Sequence, residues 1–270
     1  MLVVNGYQLK AAKLPQKPHF LRAPLDNFVN KLLFSVSNYF LLLTATMNRA
    51  ICFLFLFGLL VSFQTGSVNY YALSSDDFLK LPEANQVINA KHPNYALLDA
   101  AIFHNTNIAR RTHGLPPLQH AAGLQQAAQQ FASDMIQMGF YNHVHLYSPS
   151  FAKLTQRVET FTREYSRMAE NIGQYQLIDS PPEYCCRRKR DGSFEYFNCD
   201  NKHLLNVFNY LDFAQYAVDE WMNSPSHRHN VLDSTYTHLG CAARLSKNPY
   251  QECRAPFGRF VQNFGKVKTN

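Results

Sequence analysis

Apolar residues recur at steps of three and four in three stretches of the chain, which predicts three amphipathic helices. The first stretch runs from about residue 94 to Gly114, the second from about residue 121 to Gly139, and the third over residues 213–223. The two glycines are typical helix ends. A shorter helix is predicted at about residues 150–161.

The end of the chain has the pattern of strands. Residues 238–245 and 259–264 flank a turn-rich connector, which predicts an antiparallel pair. Residues 169–173 have the character of a further short strand. Helices that precede a late hairpin indicate an α+β domain rather than a regular series of alternating strands and helices.

Two segments differ from this pattern in composition. Residues 68–93 are mixed and polar, and we expect them to form an arm that leads into the domain. Residues 175–212 are charged, carry cysteines and lack a helical period, which predicts a surface insertion. Its Arg-Arg-Lys-Arg run at residues 187–190 is interpreted as a solvated loop rather than a binding patch. The folded domain is expected to cover residues 94–267.

The N-terminal region contains a secretory signal peptide by pattern. Met47-Asn48-Arg49 precedes the apolar run ICFLFLFGLLVSF, and small residues follow up to Ser67. We therefore interpret residues 47–67 as a signal peptide. Residues 1–46 are either a leader or a stretch wrongly included upstream of a true translation start at Met47. The alternative is one long membrane anchor that joins residues 32–46 to residues 51–63. After signal cleavage no membrane span is expected.

The formal charge of the chain is +7, with 26 basic and 19 acidic residues. Residues 1–67 hold six of the basic residues and one of the acidic ones, so the remainder carries 20 − 18 = +2. A protein that binds nucleic acid keeps its positive charge on the folded surface. The sequence therefore does not support nucleic acid as a partner.

The domain contains five cysteines after residue 67, and in an exported chain these favour disulfides. We predict that Cys241 and Cys253 bridge the late hairpin, and that Cys199 pairs with Cys185 or Cys186 and leaves the other unpaired. Zinc is the rival interpretation, but no CxxC motif occurs and adjacent cysteines are poor co-ligands for a tetrahedral ion.

The stretch EWMNSPSHRHN, residues 220–230, contains the only tryptophan and two histidines that flank an arginine. We expect Trp221 to be buried and Ser224-Pro225 to turn the chain. His227 and Arg228 would then fold back beside a cleft, chiefly to cap and brace the helix end. A direct ligand role for His227 is the second interpretation.

Common catalytic motifs are absent from the sequence: HExxH, GxSxG, GxxxxGK[ST] and GxGxxG do not occur. What remains is a set of histidines and one carboxylate among apolar residues, Glu170, which needs a partner. The candidate cleft residues are His143, Glu170, His227 and His238.

Several short motifs follow one another along the chain. They are, in order, His104-Asn105 with Arg110, GLPPL at residues 114–118, Tyr-Asn-His at 141–143, Ala-Glu-Asn-Ile at 169–172, WMNSPSHR at 221–228, His-Leu-Gly at 238–240 and VQNFG at 261–265. This order resembles the CAP superfamily, which comprises cysteine-rich secretory proteins, antigen 5 and pathogenesis-related proteins. The resemblance spans about residues 97–265 without the insertion, and its later motifs are similar to the bacterial branch.

The resemblance implies an α-β-α sandwich, with a small antiparallel sheet between helical layers and a shallow cleft. In animal and plant members that cleft carries two histidines and two acidic residues, which bind a divalent ion in some of them. His143 matches the first histidine and Glu170 the first glutamate. Ser224 replaces the second glutamate, and the second histidine is missing at Phe260-Val261-Gln262, so the full set is not present.

A zinc site would therefore rest on His143 and Glu170, with His227 or His238 as a substitute ligand. The favoured function is binding of a lipid, a sterol, an envelope component or a protein by a secreted or envelope-located domain. One alternative is a metal-assisted hydrolase, for example a peptidase, with Glu170 as general base. The other alternative is an inert structural surface domain.

Overall fold

The computed structural model describes residues 68–181, 183–247 and 252–269. The chain divides into two units, Met1–Gly66 and Ser67–Asn270, and all the described residues lie in the second. The predicted leader, the predicted signal peptide and the alternative membrane anchor lie outside the described residues. Within the described ranges, no helix is both long enough and apolar enough to cross a membrane.

The three predicted long helices and the predicted short one are present, and two further short helices join them in the described part of the chain. The helices are α1 (Ser75–Phe78), α2 (Tyr95–Thr112), α3 (Ala122–Gln137), α4 (Leu154–Glu159), α5 (Tyr210–Asn223) and α6 (Pro225–Leu232). The side chain of Asn94 caps α2 by accepting from the backbone N–H of Leu97. Gly114 and Gly139 follow α2 and α3 with φ of +72° and +70°, a conformation that suits glycine.

The central sheet has four strands in the order β1-β5-β6-β2. They are β1 (Gln119–His120), β2 (Tyr165–Gln176), β5 (His238–Leu245) and β6 (Phe257–Val267). The predicted antiparallel pairing of β5 with β6 is confirmed, and β2 extends the sheet on the far side of β6. The sheet is not wholly antiparallel as expected, because the two residues of β1 pair with β5 in parallel.

Helices cover both faces of this sheet, which confirms the α-β-α sandwich. Phe131 and Met135 of α3 pack on one face against Ile172, Ala242 and Val261. The close approach of α3 depends on a missing side chain, because a Cβ at position 240 would overlap the backbone of the first turn of α3.

The opposite face packs against α2 and α5. Trp221 and Phe213 of α5 are fully buried there beside Phe260 of β6. The burial of Trp221 agrees with expectation, and its indole N–H donates to the carbonyl of Ile172 at 3.0 Å. The bond ties α5 to the edge strand β2.

The insertion forms a two-stranded antiparallel hairpin of β3 (Cys185–Arg188) and β4 (Phe194–Phe197). Cys185 pairs with Cys199, one of the two predicted alternatives. The predicted Cys241–Cys253 bridge is wrong: Cys253 pairs with Cys186, and Cys241 is a free thiol. The physical reason is that the side chain of Cys241 lies in the hydrophobic core beneath α2 and α5, out of reach of the surface connector.

The segment after Trp221 also differs from expectation. Pro225 is the first residue of α6, a position that proline favours because its missing N–H has no helical partner. The three residues His227, Arg228 and His229 therefore belong to a new helix and do not cap the end of α5.

The N-terminal arm packs on α2. Phe78 of α1 is fully buried and stacks on the ring of His104 with 4.3 Å between ring centroids. The His104 ring also bonds to Ser75 through Nδ1 and to the carbonyl of Tyr70 through Nε2, each at 3.0 Å. Because a carbonyl only accepts, Nε2 carries the proton in the neutral ring.

Candidate functional site

Glu170 of β2 is held on both sides of its carboxylate. The guanidinium of Arg157 donates to Oε2 at 2.6 Å, and the ring of His143 bonds to Oε1 through Nδ1 at 2.9 Å. The side chains of Arg157 and Glu170 are only 1% and 4% exposed, whereas that of His143 is 53% exposed. The predicted pair of His143 and Glu170 is therefore brought together, with a third member that the sequence did not suggest.

Arg157 is the member of this group that was not predicted from the sequence. It lies on α4, and its guanidinium also donates to the carbonyls of Phe151 and Ala152 and stacks over the ring of Phe131, 3.6 Å from the centroid. These contacts hold the cation in the interior beside its counter-ion. One feature of the sequence could have indicated that Arg157 is buried: it lies on a predicted short helix next to an apolar residue, Val158.

The ring of His143 is half exposed, and one of its two nitrogens bonds to Glu170. A carboxylate only accepts hydrogen bonds, so Nδ1 of His143 carries the proton toward Glu170 and Nε2 of the neutral ring is an acceptor. The half-exposed ring is thus oriented by a buried carboxylate. Chemically the arrangement provides a fixed acceptor at the surface, backed by an ion pair.

His227 lies near this group, on α6, which packs against β2. Burial, and to a smaller extent the charge of His143, lower the pKa of His227. Its backbone carbonyl accepts from Asn171 Nδ2 at 3.1 Å. The structure therefore places His227 on the helix beside this group, and its ligand role stays a prediction.

A chain of buried amides braces the site from below. Asn171 donates to Gln262 at 3.0 Å and accepts from Asn230 of α6 at 2.9 Å, and Gln262 donates to Thr106 of α2 at 2.6 Å. Buried amides need such partners. In the sequence, Asn171 and Gln262 are noticeable only as members of two motifs. Their contact could not be predicted, because they are far apart in the chain.

His238 does not join this group. It opens β5, where its ring lies 5.8 Å from that of Tyr165 and its Nδ1 bonds to the hydroxyl of Thr237 at 2.8 Å. Burial lowers the pKa of His238, and the charge that acts on it is that of Glu164. We therefore place His238 in the packing at the end of the sheet.

The loop that carries His143 exposes an unusual number of apolar side chains. Between residues 138 and 147, five large ones are 45% to 62% exposed: Met138, Tyr141, Val144, Leu146 and Tyr147. Exposed apolar residues that form a contiguous patch are a feature of interaction surfaces.

The described residues do not provide the ligands that a resident metal ion needs. In the ranges the structure covers, no group of three or more His, Cys, Asp or Glu side chains is arranged to hold a metal ion. Both oxygens of Glu170 are occupied, one of them by a cation. A divalent ion there would be repelled by Arg157, so the donor set does not fit, and the zinc site stays a sequence-based prediction.

The sequence belongs to a known family. The sequence model of CAP, the cysteine-rich secretory protein family, matches residues 103–264. This segment is more than half of the chain, and it includes α3, β2, β5 and the complete group around Glu170. The chain is a member of the CAP family, and the resemblance found in its motifs is confirmed.

Two curated relatives come from Bacillus subtilis (strain 168). The chain is 27% identical over 135 residues to the uncharacterized membrane protein YlbC, which aligns 50% of this chain with 28% of that protein. It is 26% identical over 135 residues to the uncharacterized protein YkwD, which aligns 50% of this chain with 38% of the relative. The chain thus spans well under half the length of either relative.

Solved structures of low identity are also similar. An extracellular protein with an SCP domain from Bacillus anthracis str. Ames has a TM-score of 0.40 and 20% identity, over 64% of this chain and 41% of the other. An outer surface protein from Borrelia burgdorferi has a TM-score of 0.42 and 15% identity, over 68% of this chain and 99% of the other.

Proposed function

We propose that the protein is an extracellular CAP domain that works by binding, with the loop of residues 138–147 and the His143–Glu170 group as its ligand surface. The observation that carries this proposal is the state of Glu170. Its carboxylate is neutralised by Arg157 and committed to orienting His143, so it is not available to activate a water molecule.

The same contacts weigh against a hydrolase. A general base must reach the proton that it abstracts and must have a pKa suited to accept it. Both oxygens of Glu170 already accept a hydrogen bond, from Arg157 at 2.6 Å and from His143 at 2.9 Å, so the carboxylate is not directed at a substrate proton. The metal-assisted version would also need a cation beside that arginine.

The exposed apolar loop indicates what kind of ligand the surface suits. Tyr141, Leu146 and Tyr147 offer apolar and aromatic area, and His143 Nε2 offers one acceptor for a hydroxyl or amide. A sterol, a lipid or an apolar protein segment with one polar group matches this combination. The relative named as a membrane protein supports a location at the cell envelope, in line with the signal peptide expected from the sequence.

The test compares two leucines of equal exposure. Leu146 in the loop is 55% exposed and Leu204 in the insertion is 56% exposed. We expect Leu146→Ser to weaken saturable binding of a fluorescent sterol, or of phospholipid vesicles without sterol, by roughly tenfold, in line with the apolar area removed. Leu204→Ser is the matched control and should bind like the unaltered protein.

Two results would oppose the proposal. Equal binding by the two serine variants, or no saturable binding of either probe, would leave the loop without a lipid role and turn the search to proteins. Cleavage of a peptide library that disappears in Glu170→Gln would favour the hydrolase instead.

A further inference from the structure

Arg259 of β6 is a buried cation without an anion. The residue is 8% exposed and lies on the face of the sheet that α3 covers, since it alternates with Phe260 of the opposite core. Its guanidinium lies 4.7 Å from the ring centroid of Tyr141 and 5.3 Å from that of Phe257. Two aromatic rings therefore surround the charge.

The guanidinium lacks the hydrogen bonds that a buried arginine normally makes. Its Nε and Nη1 are buried and have no hydrogen-bond partner, and among the described residues it forms no salt bridge. Burial lowers the pKa of Arg259. Burying a charge without hydrogen bonds or a counter-ion costs free energy, and an anion bound to the guanidinium would offset that cost.

Three other arginines that reach into the interior show what is missing. Arg110 donates to three backbone carbonyls, of Pro116, Val231 and Asp233. Arg244 bonds to the buried carboxylate of Asp99 at 3.0 Å. Arg110 and Arg157 each leave one nitrogen unpaired but keep several acceptors, whereas Arg259 has none in the described part of the chain.

Arg157 is the closest comparison, because it also stacks on an aromatic ring. Its guanidinium lies over Phe131 and is completed by the carboxylate of Glu170. At Arg259 the aromatic support is present and the carboxylate is not. We propose that Arg259 is an anion-binding site that takes a carboxylate group of a ligand from outside the chain, with Tyr141 as the ring against which the rest of the ligand lies.

The carboxylate is the oxyanion that best fits this unpaired guanidinium. A planar carboxylate matches the planar guanidinium and accepts from two neighbouring N–H groups of it at once. The ring of Tyr141 is about half exposed, so an apolar or aromatic body next to the carboxylate gains contact there. Tyr141 belongs to the ligand surface proposed above, so this site adjoins that surface and shares Tyr141 with it. Arg259, which supplies the charge, is not part of that surface.

The experiment uses benzoate and acetate as probes, with inorganic phosphate and chloride at equal ionic strength for comparison. The readout is the arginine Nε–H signal in a ¹⁵N correlation spectrum of the purified protein, assigned through Arg259→Lys. We expect the Arg259 signal to shift saturably with both carboxylates and more tightly with benzoate. Arg259→Lys lacks this signal, so its affinity is measured by calorimetry beside the unaltered protein. It should bind roughly ten- to a hundredfold more weakly, because the paired charge-assisted bonds are lost.

Two further variants keep the test independent of folding defects. Tyr141→Ala should abolish the advantage of benzoate over acetate while acetate still shifts the Arg259 signal. Arg228→Met removes the same charge from an exposed helix position and should leave both affinities unchanged. The proposal fails if the Arg259 signal does not respond to either carboxylate, or if phosphate and chloride move it as much. If the protein binds no sterol but the Arg259 signal still responds to carboxylates, the anion site stands and only the lipid-binding proposal fails.

Discussion

Arg157 and Glu170 form an ion pair of 2.6 Å that is almost wholly removed from water, and the same carboxylate fixes the ring of His143 at the surface. The pair joins α4 to the edge strand β2. It therefore contributes both to the packing of α4 on the sheet and to the orientation of His143, whose side chain is 53% exposed.

Breaking this pair on one side should destabilise the domain. Arg157→Met leaves Glu170 buried without its cation, and we expect the free energy of unfolding to fall by about 3–5 kcal/mol. Urea denaturation of the variant measures the loss. As a control, Arg111→Met breaks an exposed pair with Asp76 and should have little effect. Similar losses in both variants would show that the buried Arg157–Glu170 pair contributes no more to the free energy of unfolding than the exposed Arg111–Asp76 pair.

Zinc binding should be weak because of the same arginine. We expect calorimetric titration of zinc into the protein to show no micromolar site, since Glu170 is engaged and two imidazoles alone hold zinc poorly. Removing the competing cation in a folded variant, Arg157→Gln, should strengthen binding. Micromolar binding by the unaltered protein that is lost in both His143→Ala and Glu170→Gln would contradict this expectation and restore the metal site.

The two disulfides should differ in their contribution to stability. Their cysteines are 14 and 67 positions apart, and the cost of closing the unfolded chain rises with that separation. We expect Cys186→Ser with Cys253→Ser to lower the free energy of unfolding by about 1.4 kcal/mol more than Cys185→Ser with Cys199→Ser. Equilibrium unfolding gives both values, and a reversed order would contradict the prediction.

Acidification should weaken the attachment of the N-terminal arm. Burial lowers the pKa of His104 below its usual value, so the unfolded chain takes up a proton before the folded one does. The stability that the neutral ring contributes is present above about pH 6.5 and is lost as the pH falls from there through the lowered folded pKa. The slope of unfolding free energy against pH between about 7 and 5 should decrease in His104→Gln.

Other histidines limit the size of that decrease. Burial also lowers the pKa of His120, His227 and His238, so a residual slope is expected in the variant. An unchanged slope in His104→Gln would show that the ring of His104 takes up its proton equally in the folded and unfolded chains. His113, which is exposed, supplies the control in His113→Gln.

Sequence periodicity located the long helices and the late strand pair, because each buries a face set by local spacing. Trp221 was placed in the core for that reason. The partners of Glu170 and Cys253 were not found by the same means. Arg157 and Cys186 meet them through tertiary packing of segments that no period links, and the burial of Cys241 depends on which face of β5 is turned to α2.

The start of α6 shows a second limit of sequence interpretation. Ser224-Pro225 reads equally well as a turn and as the first turn of a helix, because proline is tolerated at that position. Only the packing of α6 against β2, through Asn230 and Asn171, selects the helix. This choice carries His227 toward His143 and removes it from the end of α5.

The adjacent cysteines of the insertion have different partners, and this has a consequence for proteolysis. Cys185 closes the hairpin on itself, while Cys186 fastens it to the segment just before β6. Any single cut between Cys186 and Cys253 therefore leaves two fragments joined by at least one covalent bridge. A protease that cuts within the basic run of residues 187–190 would produce a protein of unchanged mobility on a non-reducing gel, with β6 still in place in the sheet.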